Sequence, residues 1–222
     1  MKKFLLFILS YLLITGLFSQ EKDTTFLLTD SSEGIVVQAF YSNTKWKDVP
    51  HAVTLLSEKK LQQFSPHSMV AVLNTVAGVR LEERSPASYR ISIRGSLLRS
   101  PFGVRNIKVY WNDLPLSDGG GNTYLNLVEL QNINTIEVLK GPSASVYGAG
   151  TGGVLLLKTG LPFNNATKNT FNISVNTGSY NLFNEHVQWQ HQSKKYSMQL
   201  QQSHTQSQGY REQSAMQKNV LQ

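Results

Sequence analysis

The stretch GPSASVYGAGTGGV, residues 141–154, packs five glycines into fourteen positions and runs directly into Leu155-Leu156-Leu157. Gly148-Ala149-Gly150-Thr151-Gly152-Gly153 has the spacing of a dinucleotide-binding turn. Such a turn needs a helix after it, because the free N–H groups of a helix N-terminus hold the pyrophosphate. Here GVLLLKT follows, a short apolar run that reads as a buried strand. No Lys follows Gly148 until Lys158, so a P-loop is excluded too. The stretch therefore needs another explanation.

The chain opens MKKFLLFILSYLLITGLFSQ, with Lys2 and Lys3, an apolar stretch from Phe4, and small or polar residues near Ser19. This is the layout of a secretory signal, expected over residues 1–19, and Ser10, Thr15 and Gly16 interrupt it too early for a spanning helix. A membrane anchor is the alternative. An exported chain could carry disulfides, but there is no Cys, which removes a disulfide scaffold, cysteine-ligated metal and a thiol nucleophile. Two of the +7 formal charges belong to the leader lysines, and the remaining basic residues are dispersed, so no nucleic-acid partner is expected. The five His are scattered with no H-E-x-x-H, so no metal site is expected. No nucleophile, base and orienting group can be nominated, so the chain is not read as an enzyme and needs no cofactor.

Residues 20–33 form a polar lead, expected to be flexible, that ends at GIVVQAF. Ile35, Val36 and Val37 are β-branched and favour extended backbone. SPHSMVAVLNTVAGV reads as a helix: Ser65 at the N-cap, Pro66 in the first turn, Gly78 past the end, and Met69, Val72, Leu73 and Val76 on one stripe. A small mixed sheet is expected from YRISIRG, NIKVYW and TIEVLKG, which alternate apolar and polar residues. Residues 34–160 thus form an α+β unit. After the linker-like LPFNNATKNT, alternation becomes regular: Phe171, Ile173 and Val175 against Asn172, Ser174 and Asn176, then Tyr196, Met198 and Leu200 against Ser197, Gln199 and Gln201. In a soluble sandwich the apolar face would meet a core; in a membrane barrel it would meet lipid. Periodicity leaves both open.

Several landmarks, in order, resemble the TonB-dependent outer-membrane transporters. GIVVQAF is similar to the energy-coupling box (segment 34–40), VPHAVTLLSEKKLQ to the opening strand and helix of the plug, and Ala77-Gly78-Val79 to a Pro-Gly-Val signature. ISIRG supplies Arg94-Gly95, IKVYWNDLPLSDG resembles a strand ending in Asp-Gly-x-Pro, and IEVLKGPSASVYGAGTGGVLLLKTG is the most diagnostic segment. GYREQS, residues 209–214, resembles an early barrel turn. Ala77 replaces Pro and Asn112-Asp113 replaces Asp-Gly, departures that bear on local turn geometry.

The resemblance implies an α+β plug domain (34–160) followed by the first antiparallel strands of a transmembrane β-barrel (161–222), incomplete as it stands. It implies the outer membrane of a Gram-negative bacterium, lipid around the wall, and a periplasmic TonB partner pairing by strand addition with exposed Ile35, Val36, Val37, Gln38, Ala39 and Phe40. The alternative is that Ile35 to Val37 form an ordinary first strand. Structural roles fall to Arg94, Gly95, Gly141, Pro142, Tyr147, Gly148, Gly150, Gly152 and Gly153, with Arg94 either pairing with carboxylates of the barrel wall or simply solvated. The ligand implied is a small molecule, an iron chelate of siderophore or ferric-citrate type. Candidate contacts are Arg99 and Phe102 on plug loop 97–102, Asn122 on loop 117–123, and Arg105 between the two loops; surface salt pairing is the alternative for the arginines. A barrel of about 22 strands of about ten residues needs on the order of 220 residues, whereas 62 follow Gly160, so an N-terminal piece of a longer chain is expected. The competing reading is a self-contained periplasmic binding or signalling module.

Overall fold

A computed structural model of the chain describes residues 36–37, 39–41, 44–86, 88–96, 104–142, 144–148, 150–160 and 167–222. The signal expected at 1–19 and the lead at 20–33 lie outside the described residues, as do Ile35, Gln38, Arg99 and Phe102.

In chain order the first part contains β1 (Val36–Val37), β2 (Thr44–Lys45), β3 (Ala52–Leu56), α1 (Glu58–Leu61), α2 (Val70–Leu73), β4 (Val79–Glu83) and β5 (Tyr89–Ile93). Then come β6 (Ile107–Trp111), β7 (Leu114–Pro115), β8 (Thr135–Lys140), α3 (Ala144–Tyr147) and β9 (Gly153–Lys158). A five-stranded sheet of order β3-β8-β9-β6-β7 organises it. All its pairs are antiparallel except β6 with β9. The aliphatic run falls on β9, where it is covered on both faces, as strands flanked by structure on two sides must be. Leu155 and Leu157 meet a core built with α1, α2 and the β4–β5 hairpin, through Leu61, Val72, Leu73, Leu81 and Ile93. Val154 and Leu156 meet a second, smaller core of Val37, Ala39, Val53, Leu139 and Tyr147.

Two expectations are corrected. YRISIRG does not join the main sheet: β5 pairs with β4, a strand missing from the sequence reading, as a separate hairpin. The helix expected from Ser65 to Gly78 contracts to Val70–Leu73, with Met69 at its N-cap. Its stripe survives, since Met69, Val72, Leu73 and Val76 are all buried. The helix ends early because side chains compete for backbone groups. Asn74 donates Nδ2–H to the Leu81 carbonyl at 3.0 Å and accepts the Leu81 N–H at 2.7 Å, while Thr75 Oγ1 donates to the Val72 carbonyl.

The last third is an antiparallel meander of β10 (Lys168–Gly178), β11 (Leu182–Gln192), β12 (Ser197–Ser207) and β13 (Met216–Leu221). Tyr180 and Asn181, both at positive φ, make the tight β10–β11 turn. The register sets Phe171 beside Trp189 and Trp189 beside Leu200, collecting the apolar side chains on one face. That face is bare: Phe171, Ile173, Val175, Tyr196, Met198 and Leu200 are 50–64% exposed. The opposite face, with Asn184, His186, Gln190, Gln201 and Thr205, is buried. These wall strands are apolar outside and polar inside, the arrangement of a barrel in lipid.

Candidate functional site

The glycine-rich segment joins β8 to β9 with backbones in close approach. Gly141 donates its N–H to the Gly152 carbonyl at 3.1 Å, and Gly152 donates to the Asn106 carbonyl at 3.0 Å. A Cβ at Gly152 would collide with Ser96 Oγ and lie 3.0 Å from Ile107 Cγ1. Gly153, at φ +144°, would drive a Cβ into the Leu139 carbonyl oxygen. Gly150 is buried beside Lys108, while Pro142 and Gly148 are exposed. Among the described residues of the segment the one helix, α3, has four residues, and the glycines let three strand ends approach closely.

Tyr147, named above among the structural residues, stands on α3 and is 2% exposed. It packs edge-on against Tyr110 with ring centroids 5.2 Å apart, and the Tyr110 hydroxyl donates to the Tyr147 carbonyl at 3.0 Å. Its own hydroxyl accepts the Phe40 N–H at 2.6 Å, across 107 residues of sequence. The coupling segment expected at 35–40 is thus docked where it is described. Val37 and Ala39 are buried in the smaller core, and β1 pairs with β2. Instead of an exposed extended peptide, the chain turns at Phe40, which adopts φ 62°, ψ 31°. Left-handed backbone costs a residue with a Cβ about 1–2 kcal/mol. The Phe40 ring lies 4.7 Å from His51 and 5.9 Å from Tyr147, centroid to centroid.

Arg94 and Gly95 occupy the turn after β5, both at positive φ, and the Arg94 N–H is donated to the Gly78 carbonyl at 2.7 Å. The Arg94 guanidinium lies over Gly141, so these two motif pieces meet. The nearby Lys140 ammonium has its pKa lowered by burial first and by the Arg94 charge second. Among the described residues no carboxylate lies within ion-pair distance of Arg94. Asn112 and Asp113 form the β6–β7 turn, both left-handed. The Asn112 side chain bridges to Thr159, accepting its N–H at 2.9 Å and donating to Oγ1 at 2.6 Å, while Asp113 pairs with Lys158.

Of the ligand-contact candidates, the described pair comes together. Arg105 Nε donates to Asn122 Oδ1 at 2.5 Å, and the Asn122 N–H is donated to Asp118 Oδ1 at 2.9 Å. Asp118 also accepts from the Tyr124 hydroxyl at 3.3 Å. The backbone N–H of Asn122, then its side chain, hold the exposed Asp118 carboxyl below its ordinary pKa. The cluster offers a cation and amide dipoles beside a carboxylate whose charged form is favoured, groups that can meet an anionic or polyhydroxylated ligand.

The contact between plug and wall is mostly made of neutral amides. Gln131 donates to Asn184 at 3.0 Å, Asn132 donates to Gln222 at 2.7 Å, and His186 Nε2 lies 3.0 Å from Asn132 Oδ1. Among the described residues one ion pair joins the two parts: Lys218 on β13 reaches Glu129 at 2.8 Å. Between them lies a cavity of about 220 Å3 lined by His67, Glu83, Tyr89, Glu129 and Lys218. A second, of about 350 Å3, is lined by Gln62, Asn134, Asn172, Ser174 and Gln188. The signal for this interface was the Asn, Gln and Ser enrichment of alternate wall positions.

The model of the TonB-dependent receptor plug domain family matches residues 45–154. The vitamin B12 transporter of Vibrio vulnificus is 25% identical over 144 residues, covering 64% of this chain and 23% of that protein. Among solved structures, the ferric yersiniabactin uptake receptor of Yersinia pestis superposes with a TM-score of 0.55 at 16% identity, over 71% of this chain and 24% of that one. The pyoverdine outer-membrane receptor of Pseudomonas aeruginosa gives 0.56 at 14%, over 72% and 22%. A copper transporter gives 0.58 at 16%, over 74% and 26%. At these identities the structural likeness establishes the fold. The chain thus carries, over residues 45–154, the plug domain of the TonB-dependent receptors, followed by wall strands. It spans about a quarter of the length of the relatives it matches.

Proposed function

We propose that this chain is the signal (1–19), lead (20–33), plug (34–160) and first wall strands (161–222) of a transporter that takes up a scarce iron chelate, of siderophore or ferric-citrate type, energised by a periplasmic TonB protein. The observation that carries the reading is the plug seated on the polar face of strands whose apolar face is bare. A plug in that position closes the lumen, so passage requires its rearrangement and an external source of work. The segment Ile35 to Phe40 supplies the handle by strand addition. Arg105 and Asn122, with the sequence candidates Arg99 and Phe102, supply ligand contacts. The chelate class is supported by receptors for ferric yersiniabactin and pyoverdine among the structural neighbours. Arg94 is assigned an ion pair with carboxylates elsewhere on the wall.

Val36→Pro tests the coupling, because proline removes the β1 backbone donor and cannot sustain strand pairing. In cells expressing the full-length receptor, energised uptake of radiolabelled ferric siderophore is expected to be abolished while binding to the cell surface is retained. Unchanged uptake would remove the coupling assignment; absence of binding in the parent receptor would remove the ligand assignment. The reading as a self-contained periplasmic module requires residues 20–222 to be soluble without detergent. The bare apolar band on β10 and β12 argues against that.

A further inference from the structure

The docked coupling segment cannot be the form that pairs with a partner. Strand addition needs extended backbone through residues 35–40, whereas Phe40 is left-handed at φ 62° and its N–H is held by the Tyr147 hydroxyl at 2.6 Å. Val37 and Ala39 are buried beneath the same ring. We propose that Tyr147 is the latch of this segment: its hydroxyl holds Phe40 in the strained turn and sets the threshold at which residues 35–40 extend and become available. The inference rests on the coupling reading above. Tyr147 is well suited to the task. It stands on the four-residue α3 within the glycine-rich segment, is braced by Tyr110, and faces the apolar strands of the central sheet. Gly152 and Gly153 follow Tyr147 closely in the same segment, so movement of the plug core there bears directly on the latch. Left-handed strain at Phe40 favours release, and the hydroxyl opposes it, so the two form a balanced pair.

The chain has no Cys, so a single introduced thiol is a unique probe. Val37→Cys reports undocking, and Val72→Cys, buried in the larger core, reports general loosening. In the detergent-purified full-length receptor, without TonB, Tyr147→Phe is expected to raise maleimide labelling at Val37→Cys about three- to ten-fold. Labelling at Val72→Cys is expected to stay constant. Unchanged labelling at Val37→Cys, or an equal rise at both positions, overturns the latch. Capture of a soluble TonB domain by the same purified receptor separates the two ideas. Raised labelling without increased capture supports the latch and sinks the coupling reading; raised capture with unchanged labelling does the reverse.

Discussion

Tyr89 shows what enclosure between plug and wall does to one side chain. Its pKa is pushed up to about 12, by burial first and by the Glu83 carboxylate second. The fold thus favours the neutral phenol. Below pH 10 both folded and unfolded chains are neutral there and the contribution is complete; as pH rises, the unfolded chain ionises first, and the contribution is lost by about pH 12. The expected loss is about 3 kcal/mol between those limits. It is read as the difference in denaturant midpoint between parent and Tyr89→Phe, the variant showing no such phase. Single residues were unevenly legible. Asn112-Asp113 reads as a turn from composition, and both residues are left-handed. Tyr147 gave no sign of its bond to Phe40, because no local rule links residues that far apart.

At the level of elements, the turn from α2 into β4 explains one departure from the family pattern. The Val79 N–H is donated to the Val76 carbonyl with Gly78 at φ +79°, which places Ala77 at the position where a type II turn favours proline. Ala77→Pro is expected to stabilise the receptor by about 0.4–1 kcal/mol through the unfolded chain, seen as a raised Tm. The link from β13 to the plug is more demanding. Lys218 and Glu129 are 19% and 11% exposed at the side chain, so Lys218→Met leaves a buried carboxylate unpaired. A loss of about 3 kcal/mol is expected, measured by urea unfolding in lipid vesicles; restoration by Glu129→Gln in the same chain identifies the stranded charge as the cause. The apolar stripe over Met69 to Val76 was legible because its period is a property of spacing alone. Helix length was not, since Asn74 spends its side chain on Leu81 in a strand that the sequence reading had overlooked.

Across the whole molecule, the bare face of β10 to β12 defines where lipid must lie. Ile173, 64% exposed on that face, is expected to cost about 2–4 kcal/mol when replaced by Arg near the bilayer midplane. Ser174→Arg, on the lumen face beside the second cavity, escapes that cost. Urea unfolding of the two variants in vesicles checks the difference, and equal losses would place the lipid face wrongly. The sequence alone determined that residues beyond 170 run as alternating strands, that the glycines at 148–153 lead into a buried strand, and the order of the family landmarks. Alternation follows from the two-residue period of extended backbone, which any register preserves. It does not say which of its two faces meets protein. Only the tertiary structure decided that, because the plug offers amides such as Gln131 and Asn132 to Asn184 and Gln222 and leaves the hydrocarbon side uncovered.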